Sequence, residues 1–314
     1  MRVLVKVPAT SANLGPGFDA LGLALDLWNT TEFFPAGSFS LLIEGEGANK
    51  LAANEKNLIV RSAKKLYECL NKPMPELGIR CINRIPLASG LGSSAAAILS
   101  GLLGANALLE EPVPHEEILN LAVKIEGHPD NVAPALLGGL VVSMMEENKV
   151  ISHKLSVATN FKSSQGGQSE SPLHLTVALP ELNLPTKQAR SVLPDQVSIK
   201  DAVQNISRTV LLTEAFRTGD LDLLGQAMSD KLHQPYRLPL IHGAREAMEA
   251  AKQAGAAAVA LSGAGPSLIA FSAHRNASIG EMMTQAFGSA GLKTRILELE
   301  VSQQGAQIEI DKSS

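Results

Sequence analysis

The chain has 314 residues, of which 45% are hydrophobic and 18% charged, and its formal net charge is −4 at pH 7. This length is sufficient for one large domain or two ordinary domains with hydrophobic cores. The slight acidity and the 4% aromatic content exclude the strongly basic surface typical of nucleic-acid binding. We therefore expect a small-molecule ligand and no nucleic acid.

The N-terminus and the cysteines predict a cytoplasmic protein without membrane contact. The first residues alternate like a strand and lack the apolar core and cleavage site of a signal peptide. The longest weakly polar run, residues 95–109, is shorter than the roughly 20 residues that a membrane span needs. Cys69 and Cys81 are too few for a disulfide framework, and we expect both to be reduced and buried.

Hydrophobic periodicity predicts a mixed α+β chain. The first half has predicted strands at 2–7, 23–31, 39–44, 77–82 and 140–145, and predicted helices at 57–70, 95–109 and 116–126. The second half has predicted strands at 173–179, 257–261, 268–272 and 293–300, and predicted helices near 201–218, 220–231, 242–254 and 278–290. The polar segment 163–172 is expected to be a flexible surface loop, and the tail from Ser302 is expected to be frayed.

A loop rich in glycine and serine follows the predicted strand 77–82 and precedes a helix. Residues 86–96 read PLASGLGSSAA. The first turn of a helix has unpaired N–H groups and a partial positive charge, which attract anions. Gly90 and Gly92 would let an anion approach the backbone without a clash, and Ser94 offers a hydroxyl that can reach a metal bound to a phosphate. The sequence predicts a phosphate site.

Two common phosphate-binding motifs do not match this loop. The Walker loop requires a lysine after its second glycine, and none follows Gly92. The dinucleotide fingerprint requires a third glycine where Ala95 stands. The alternative interpretation is a helix N-terminus that packs closely against its neighbours.

Three segments occur in order along most of the chain: PATSANLGPGFD at 8–19, the loop at 86–96, and LSGAGPS at 261–267. They resemble the substrate-side motif, the ATP-binding motif and the glycine turn of the GHMP kinases. This family is named for galactokinase, homoserine kinase, mevalonate kinase and phosphomevalonate kinase. The resemblance implies an N-terminal α/β domain like domain 2 of ribosomal protein S5 at 1–162, and a ferredoxin-like α+β domain at 173–314.

Four local strings resemble the branch of this family that phosphorylates L-homoserine. They are NLGPGFD at 13–19, EGHPDNVAP at 126–134, LPTKQAR at 184–190 and HQPYR at 233–237. The resemblance implies transfer of a phosphoryl group from ATP to the substrate's side-chain hydroxyl, a step of threonine biosynthesis. It also implies a homodimer.

The same resemblance assigns the substrate-binding residues. Arg190 and Arg237 would each offer a planar guanidinium to the carboxylate. Asp19 would pair with the ammonium group, while Asn13 and Asn131 would hold the hydroxyl and direct it at the γ-phosphate. Taken singly, these residues also fit ordinary surface, turn and capping positions.

ATP and Mg²⁺ are likewise assigned by resemblance. The residues implied for ATP are Asn57, Pro86, Leu87, Ala88, Ser89, Gly90, Leu91, Gly92, Ser93, Ser94, Ala95 and Ala96. Ser94 and Glu126 would bind Mg²⁺ through oxygen atoms. The alternatives are a helix N-cap for Asn57 and a solvated side chain for Glu126, and we interpret His128 as a turn residue and not a metal ligand.

Asn131 stands where mevalonate kinase and similar relatives have an aspartate. Because asparagine cannot act as a base, our hypothesis is that no protein base exists and that the phosphate accepts the hydroxyl proton late in the transfer. Two other functions remain open: a kinase of this family for another small alcohol, and a binding module without catalysis. Intact Gly90, Gly92, Ser94 and Glu126 argue against the second.

Overall fold

The computed structural model describes residues 1–147, 149–162 and 171–311. The elements before residue 160 are β1 (Arg2–Ala12), β2 (Leu21–Pro35), β3 (Ser40–Gly45), α1 (Leu58–Cys69), β4 (Leu77–Asn83), α2 (Ser93–Ala107), α3 (His115–Glu126), α4 (Pro129–Leu137), β5 (Leu140–Glu146) and β6 (Lys149–Leu155). Those that follow are β7 (His174–Pro180), α5 (Thr186–Ser191), α6 (Ile199–Thr218), α7 (Leu221–Ala227), α8 (Gln234–Arg237), α9 (Ala244–Gln253), β8 (Ala258–Leu261), β9 (Leu268–Ser272), α10 (Ala277–Ser289), β10 (Thr294–Glu300) and β11 (Gln307–Asp311).

The N-terminal half is built on a sheet that has seven strands in the described part of the chain. The strands pair in the order β11-β1-β2-β4-β3, and β5 pairs with both β2 and β6. All pairs are antiparallel except β3 with β4. Helices α1 to α4 cover this sheet, because the alternating apolar side chains of its strands need a partner layer.

Helix α2 is buried on almost every side, as its continuous apolar sequence requires. Gly101 lies against the backbone of Ile59 in α1, and Gly104 lies against the ring of Phe33 in β2. A Cβ at either glycine would come closer to these neighbours than the 3.0 Å that real Cβ atoms keep. This close packing fixes the N-terminus of α2, where the site lies.

The C-terminal half contains a four-stranded antiparallel sheet in the order β10-β7-β9-β8. Numbered within this domain, the order is 4-1-3-2 with helices in the two crossovers, which is the ferredoxin-like arrangement. The predicted α+β class and the types of the predicted elements agree with this structure, whereas α4, α5, α8, β6 and β11 were not predicted. The boundaries at 162 and 173 stay a prediction, and the predicted loop 163–172 lies, except for its last two residues, outside the described residues.

Two expectations were wrong. The tail is not frayed from Ser302, because β11 pairs with Arg2 to Lys6 of β1 and completes the first sheet. Cys69 is exposed near the end of α1, whereas Cys81 is buried in β4, and both are free thiols. Burial raises the pKa of Cys81 to about 11, so its thiol is inert.

In the described ranges, no helix combines the length and apolar character that a bilayer span requires.

Candidate active site

A cavity of about 370 Å³ opens where the three sequence motifs meet. Backbone hydrogen bonds join the motifs: the N–H of Gly263 donates to Ala12 O (3.0 Å), and the N–H of Thr10 donates to Leu91 O (3.1 Å). Ser262 Oγ donates to Gly90 O at 2.8 Å. The glycine turn therefore packs against the loop before α2.

The two glycines of the loop are required by their neighbours in the fold, and their approach to an anion stays a prediction. Both have left-handed φ angles, +80° for Gly90 and +69° for Gly92. A Cβ on Gly90 would collide with the carbonyl oxygen of Ser262, and one on Gly92 would collide with the hydroxyl of Thr10. Their hydrogen atoms face protein neighbours, so the glycines hold the three motifs together and thereby shape the cavity.

The N-terminus of α2 is open toward the cavity. No side chain caps this helix, and Ser93 and Ser94 of its first turn line the cavity. Ser94 Oγ donates to Oε1 of Glu126, the last residue of α3. The helix start thus combines unpaired N–H groups with a hydroxyl and a carboxylate, an arrangement suited to a phosphate with a cation beside it.

Asn131 lies in the first turn of α4 and is held by the first motif. Thr10 Oγ1 donates to Asn131 Oδ1 at 2.7 Å, so the amide nitrogen remains as a donor. Next to it, the buried carboxylate of Asp130 accepts from His128 Nδ1 at 2.5 Å. Burial disfavours the charged form of His128, but the hydrogen bond and the charge of Asp130 outweigh burial and raise the pKa of His128.

Arg237 is a buried cation on the wall of the cavity. It is only 1% exposed, and its Nε donates to Ala189 O at 3.1 Å. Among the described residues, no carboxylate lies within ion-pair distance of its guanidinium. Desolvation, together with the charge of Arg190, lowers the pKa of Arg237 to about 10. A buried charge that carboxylates compensate only from beyond ion-pair distance is costly, so this position is suited to an incoming anion.

His233 fixes the orientation of Arg237. Its buried ring stacks on Phe18 with 5.2 Å between ring centroids, and its Nε2 lies 2.8 Å from Gly15 O. Because a carbonyl only accepts, Nε2 carries the proton and Nδ1 accepts from Arg237 Nη1 at 3.3 Å. Burial lowers the pKa of His233, so the ring stays neutral beside the guanidinium.

Asp19 and Arg190 form an ion pair through two hydrogen bonds. Arg190 Nη1 donates to Oδ2 at 2.9 Å, and Nη2 donates to Oδ1 at 2.8 Å. The hydrogen bond to Asp19 raises the pKa of Arg190 although the side chain is half-buried. The resemblance gave these residues separate substrate groups to bind, whereas the structure pairs them with each other.

The comparisons with known proteins agree with this geometry. The model described as "GHMP kinases N terminal domain" matches residues 57–139, and "GHMP kinases C terminal" matches residues 212–289. The homoserine kinase of Moorella thermoacetica is 45% identical over 305 residues, which cover 97% of this chain and 99% of that protein. The chain belongs to the GHMP kinase family.

Two further relatives extend the comparison of this GHMP kinase. The homoserine kinase of Carboxydothermus hydrogenoformans is 42% identical over 97% of this chain and 96% of its own length. The crystal structure of homoserine kinase from Cytophaga hutchinsonii superimposes with a TM-score of 0.83 at 30% identity, covering 98% of this chain and 97% of that chain. The predicted family and GHMP kinase fold are confirmed.

Most of the residues assigned from sequence line the cavity: Asn13, Asn57, Leu87, Ala88, Ser89, Gly90, Gly92, Ser93, Ser94, Glu126, Asn131, Arg190 and Arg237. The others are not in the lining. Pro86, Leu91, Ala95 and Ala96 are buried behind the loop, and Asp19 contacts the site through Arg190. The individual roles of all these residues stay predictions.

Asn13 and Asn57 both have structural partners. Asn13, at a left-handed φ of 71°, donates from Nδ2 to Gly263 O at 2.8 Å and accepts from the N–H of Asp19 at 3.0 Å. Asn57 is the N-cap of α1 and accepts from the N–H of Ile59 at 3.0 Å. Each amide therefore stabilises a loop at the cavity and has one N–H that can donate to a ligand.

Sequence reasoning did not identify several residues of the site. Thr10, Asp130 and Thr186 lie within strings that were quoted for other residues, and His233 lies next to Arg237 in the chain. Their roles depend on contacts made in the folded chain. Thr10 and His233 contact residues that are distant in the sequence, and the buried Asp130 accepts from His128. A motif read by its charged and glycine residues alone does not reveal such partners.

Proposed function

We propose that this GHMP kinase transfers the γ-phosphoryl group of ATP to the side-chain hydroxyl of L-homoserine and forms O-phospho-L-homoserine. The observation that carries the proposal is the buried Arg237, whose guanidinium has no carboxylate partner in the described ranges and lies in the same cavity as the open start of α2. One cavity thus offers a phosphate site and a carboxylate site. The reaction is a step of threonine biosynthesis, and we propose a cytoplasmic homodimer.

ATP fits the cavity with its adenine against apolar side chains. Ile43, Leu51 and Leu58 line the same cavity as Ser93 and Ser94 of the first turn of α2. Unpaired N–H groups and the positive end of the helix dipole bind phosphate oxygens. Asn57 also lines the cavity, and because its Nδ2 donates one hydrogen to Ala52 O at 2.9 Å, its second N–H is available to the base.

Arg190 and Arg237 in the cavity lining, with Asp19 bound to Arg190, provide charges that match an amino-acid zwitterion. The substrate's ammonium group would bind Asp19, and its carboxylate would bind Arg190. These two ion pairs would replace the single ion pair between Asp19 and Arg190. Arg237 loses no ion-pair partner when it binds the carboxylate, because the fold has already removed its guanidinium from water. Charge-assisted hydrogen bonds from two planar guanidinium groups also fix the orientation of the substrate.

Mg²⁺ fits the oxygen donors at the start of α2. Ser94 Oγ and Glu126 Oε1 are in contact, and the described residues contain no group of three or more His, Cys, Asp or Glu that could hold a metal by itself. Mg²⁺ is commonly held by one or two carboxylates together with substrate phosphates. Ser94 and Glu126 would hold it beside the β- and γ-phosphates, where it supplies charge neutralisation for phosphoryl transfer.

The proposed transfer uses positioning and no protein base. Thr10 holds the oxygen of the Asn131 amide, so its nitrogen donates to the substrate hydroxyl and aligns that oxygen with the γ-phosphorus. The hydroxyl oxygen forms the new P–O bond while the bond from the γ-phosphorus to ADP breaks. The hydroxyl proton passes to an oxygen of the transferred phosphoryl group.

The substrate assignment is tested by measuring ADP release with MgATP and L-homoserine, L-threonine, L-serine, mevalonate or shikimate. We expect kcat/KM for L-homoserine to exceed that for every other compound by about 100-fold or more, because the site positions both the zwitterion and the hydroxyl. Faster turnover of mevalonate or shikimate would contradict the substrate. ATP binding without turnover of any compound would contradict the kinase activity.

The magnesium site is tested by Glu126→Gln, which keeps the shape of the side chain and removes its charge. We expect the Mg²⁺ concentration for half-maximal activity to rise about tenfold or more, and kcat to fall by about 100-fold, because a carboxylate ligand is lost. Calorimetry of ATP binding supplies a second readout, since Mg²⁺ should strengthen ATP binding to the unaltered protein and not to the variant.

The matched control for this variant is Glu117→Gln. Glu117 is exposed in the first turn of the same helix α3. It should change neither kcat nor the dependence on Mg²⁺. Equal Mg²⁺ dependence of Glu126→Gln and the unaltered protein would remove Glu126 from the site.

A further inference from the structure

The side chain of Phe18 contacts three groups of the site, although Phe18 is not in the cavity lining. The guanidinium carbons of Arg237 and Arg190 lie over its ring, 5.1 and 5.9 Å from the ring centroid. The imidazole of His233 stacks on the same ring at 5.2 Å, with an interplanar angle of 21°. The face of an aromatic ring is electrostatically negative and attracts a cation within about 6 Å of its centroid. One ring therefore attracts both cations of the carboxylate site.

The two guanidinium groups need this attraction because they repel each other. Desolvation and the charge of Arg190 lower the pKa of Arg237, whereas carboxylates raise it only from beyond ion-pair distance. Asp19 neutralises Arg190 through two hydrogen bonds, and in the described ranges Arg237 has no such partner. The ring attracts Arg237 through its face and accepts no hydrogen bond in the plane of the guanidinium. It therefore holds the cation without competing with a substrate carboxylate.

The loop that carries Phe18 is fixed on both sides of the ring. Before it, Pro16 O accepts from Asn205 Nδ2 of α6 at 3.0 Å. After it, the N–H of Asp19 donates to Asn13 Oδ1 at 3.0 Å. These hydrogen bonds join groups of the protein alone, so the position of the ring depends on the fold and not on bound substrate.

We propose that Phe18 is a positioning residue that keeps the guanidinium groups of Arg190 and Arg237 directed at one carboxylate. The inference rests on the proposed function, in which these two arginines bind the carboxylate of L-homoserine. Without the attraction of the ring, mutual repulsion would separate the two groups, and the substrate would have to bring them together again. Ordering side chains on binding costs affinity, so Phe18 acts on KM for L-homoserine and not on the transfer step.

Graded fluorination of Phe18 separates this electrostatic effect from packing. Fluorine withdraws electron density from the ring face and changes the shape of the ring little. Site-specific mono-, di- and trifluorophenylalanine therefore weaken the attraction for cations in steps. We expect KM for L-homoserine to rise with each step and to reach about tenfold or more, while kcat and the KM for ATP stay nearly unchanged. Phe18→Leu, which removes the ring, should raise KM for L-homoserine at least as much.

The matched control is the same fluorinated series at Phe34. This ring is partly buried like that of Phe18, lies outside the cavity lining, and has the guanidinium carbon of Arg2 at 5.5 Å from its centroid. KM for L-homoserine should stay constant in this series. A KM that does not respond to fluorination at Phe18, or that rises equally at Phe34, would overturn the positioning role and leave the proposed function intact. Absence of L-homoserine turnover by the unaltered protein would instead overturn the proposed function, and with it the role of Phe18.

Discussion

Replacement of Arg237 with methionine is expected to abolish most L-homoserine turnover while the free energy of unfolding stays nearly unchanged. The guanidinium is buried, and its pKa is lowered to about 10 by desolvation and by the charge of Arg190. Removing one partner of a buried charged hydrogen bond to a ligand costs about 2–5 kcal/mol. We therefore expect kcat/KM for L-homoserine to fall about 30-fold to several thousand-fold in steady-state assays.

The stability of this variant should behave differently from its activity. Methionine is of similar length, and replacing a buried charge with an apolar side chain is often neutral or stabilising. The carbonyl of Ala189 and Nδ1 of His233 each lose a donor, which costs about 1 kcal/mol for each group and offsets the gain from removing the buried charge. Urea denaturation should place the variant within about 1 kcal/mol of the unaltered protein, and calorimetry should find its affinity for ATP unchanged.

Arg217→Met is the control for Arg237→Met. Arg217 is exposed on α6, where it pairs with Glu214. Its replacement should affect neither stability nor turnover, because exposed ion pairs contribute little. An unaltered KM for L-homoserine in Arg237→Met would remove the carboxylate site from this position. A large loss of stability would instead make Arg237 a structural residue.

The elements around the site were predictable where the stabilising pattern is local. Helix α1 follows from its apolar spacing and from the Asn57 cap next to it, and the start of α2 follows from the change from glycine and serine to an apolar run. The assignment of Arg190 and Arg237 to the site depended on the resemblance to a family, because a single arginine within a polar segment produces no pattern that sets it apart.

Contacts between distant segments were not predictable. Asp19 and Arg190 are 171 positions apart, and their mutual ion pair depends on how the two domains pack. The edge strand β11 alternates polar and apolar residues over only five positions, too few to outweigh its polar surroundings, and it is ordered by pairing with β1 at the other end of the chain. The same reasoning applies to Gly90, whose neighbour Ser262 belongs to the C-terminal half.

Gly90→Ala is expected to have the largest effect on the ATP site. A Cβ at Gly90 would collide with the carbonyl oxygen of Ser262 and lie 3.0 Å from that of Gly265, both backbone atoms that cannot move alone. The glycine turn would have to separate from the phosphate loop and lose the hydrogen bond from Ser262 Oγ to Gly90 O. We expect a loss of more than about 3 kcal/mol in unfolding free energy and a fall in ATP affinity of tenfold or more.

Gly291→Ala separates collision from backbone strain. Gly291 has the same φ of +80°, and a Cβ there would meet nothing within 4 Å. This control should therefore lose only the unfolding free energy that a left-handed φ costs an alanine, about 1–2 kcal/mol, and it should bind ATP normally. Urea denaturation and ATP calorimetry of the two variants then isolate the contribution of close packing between the turn and the loop. Equal losses in both variants would mean that Gly90 is needed only for its φ angle and that contact with the turn does not shape the phosphate site.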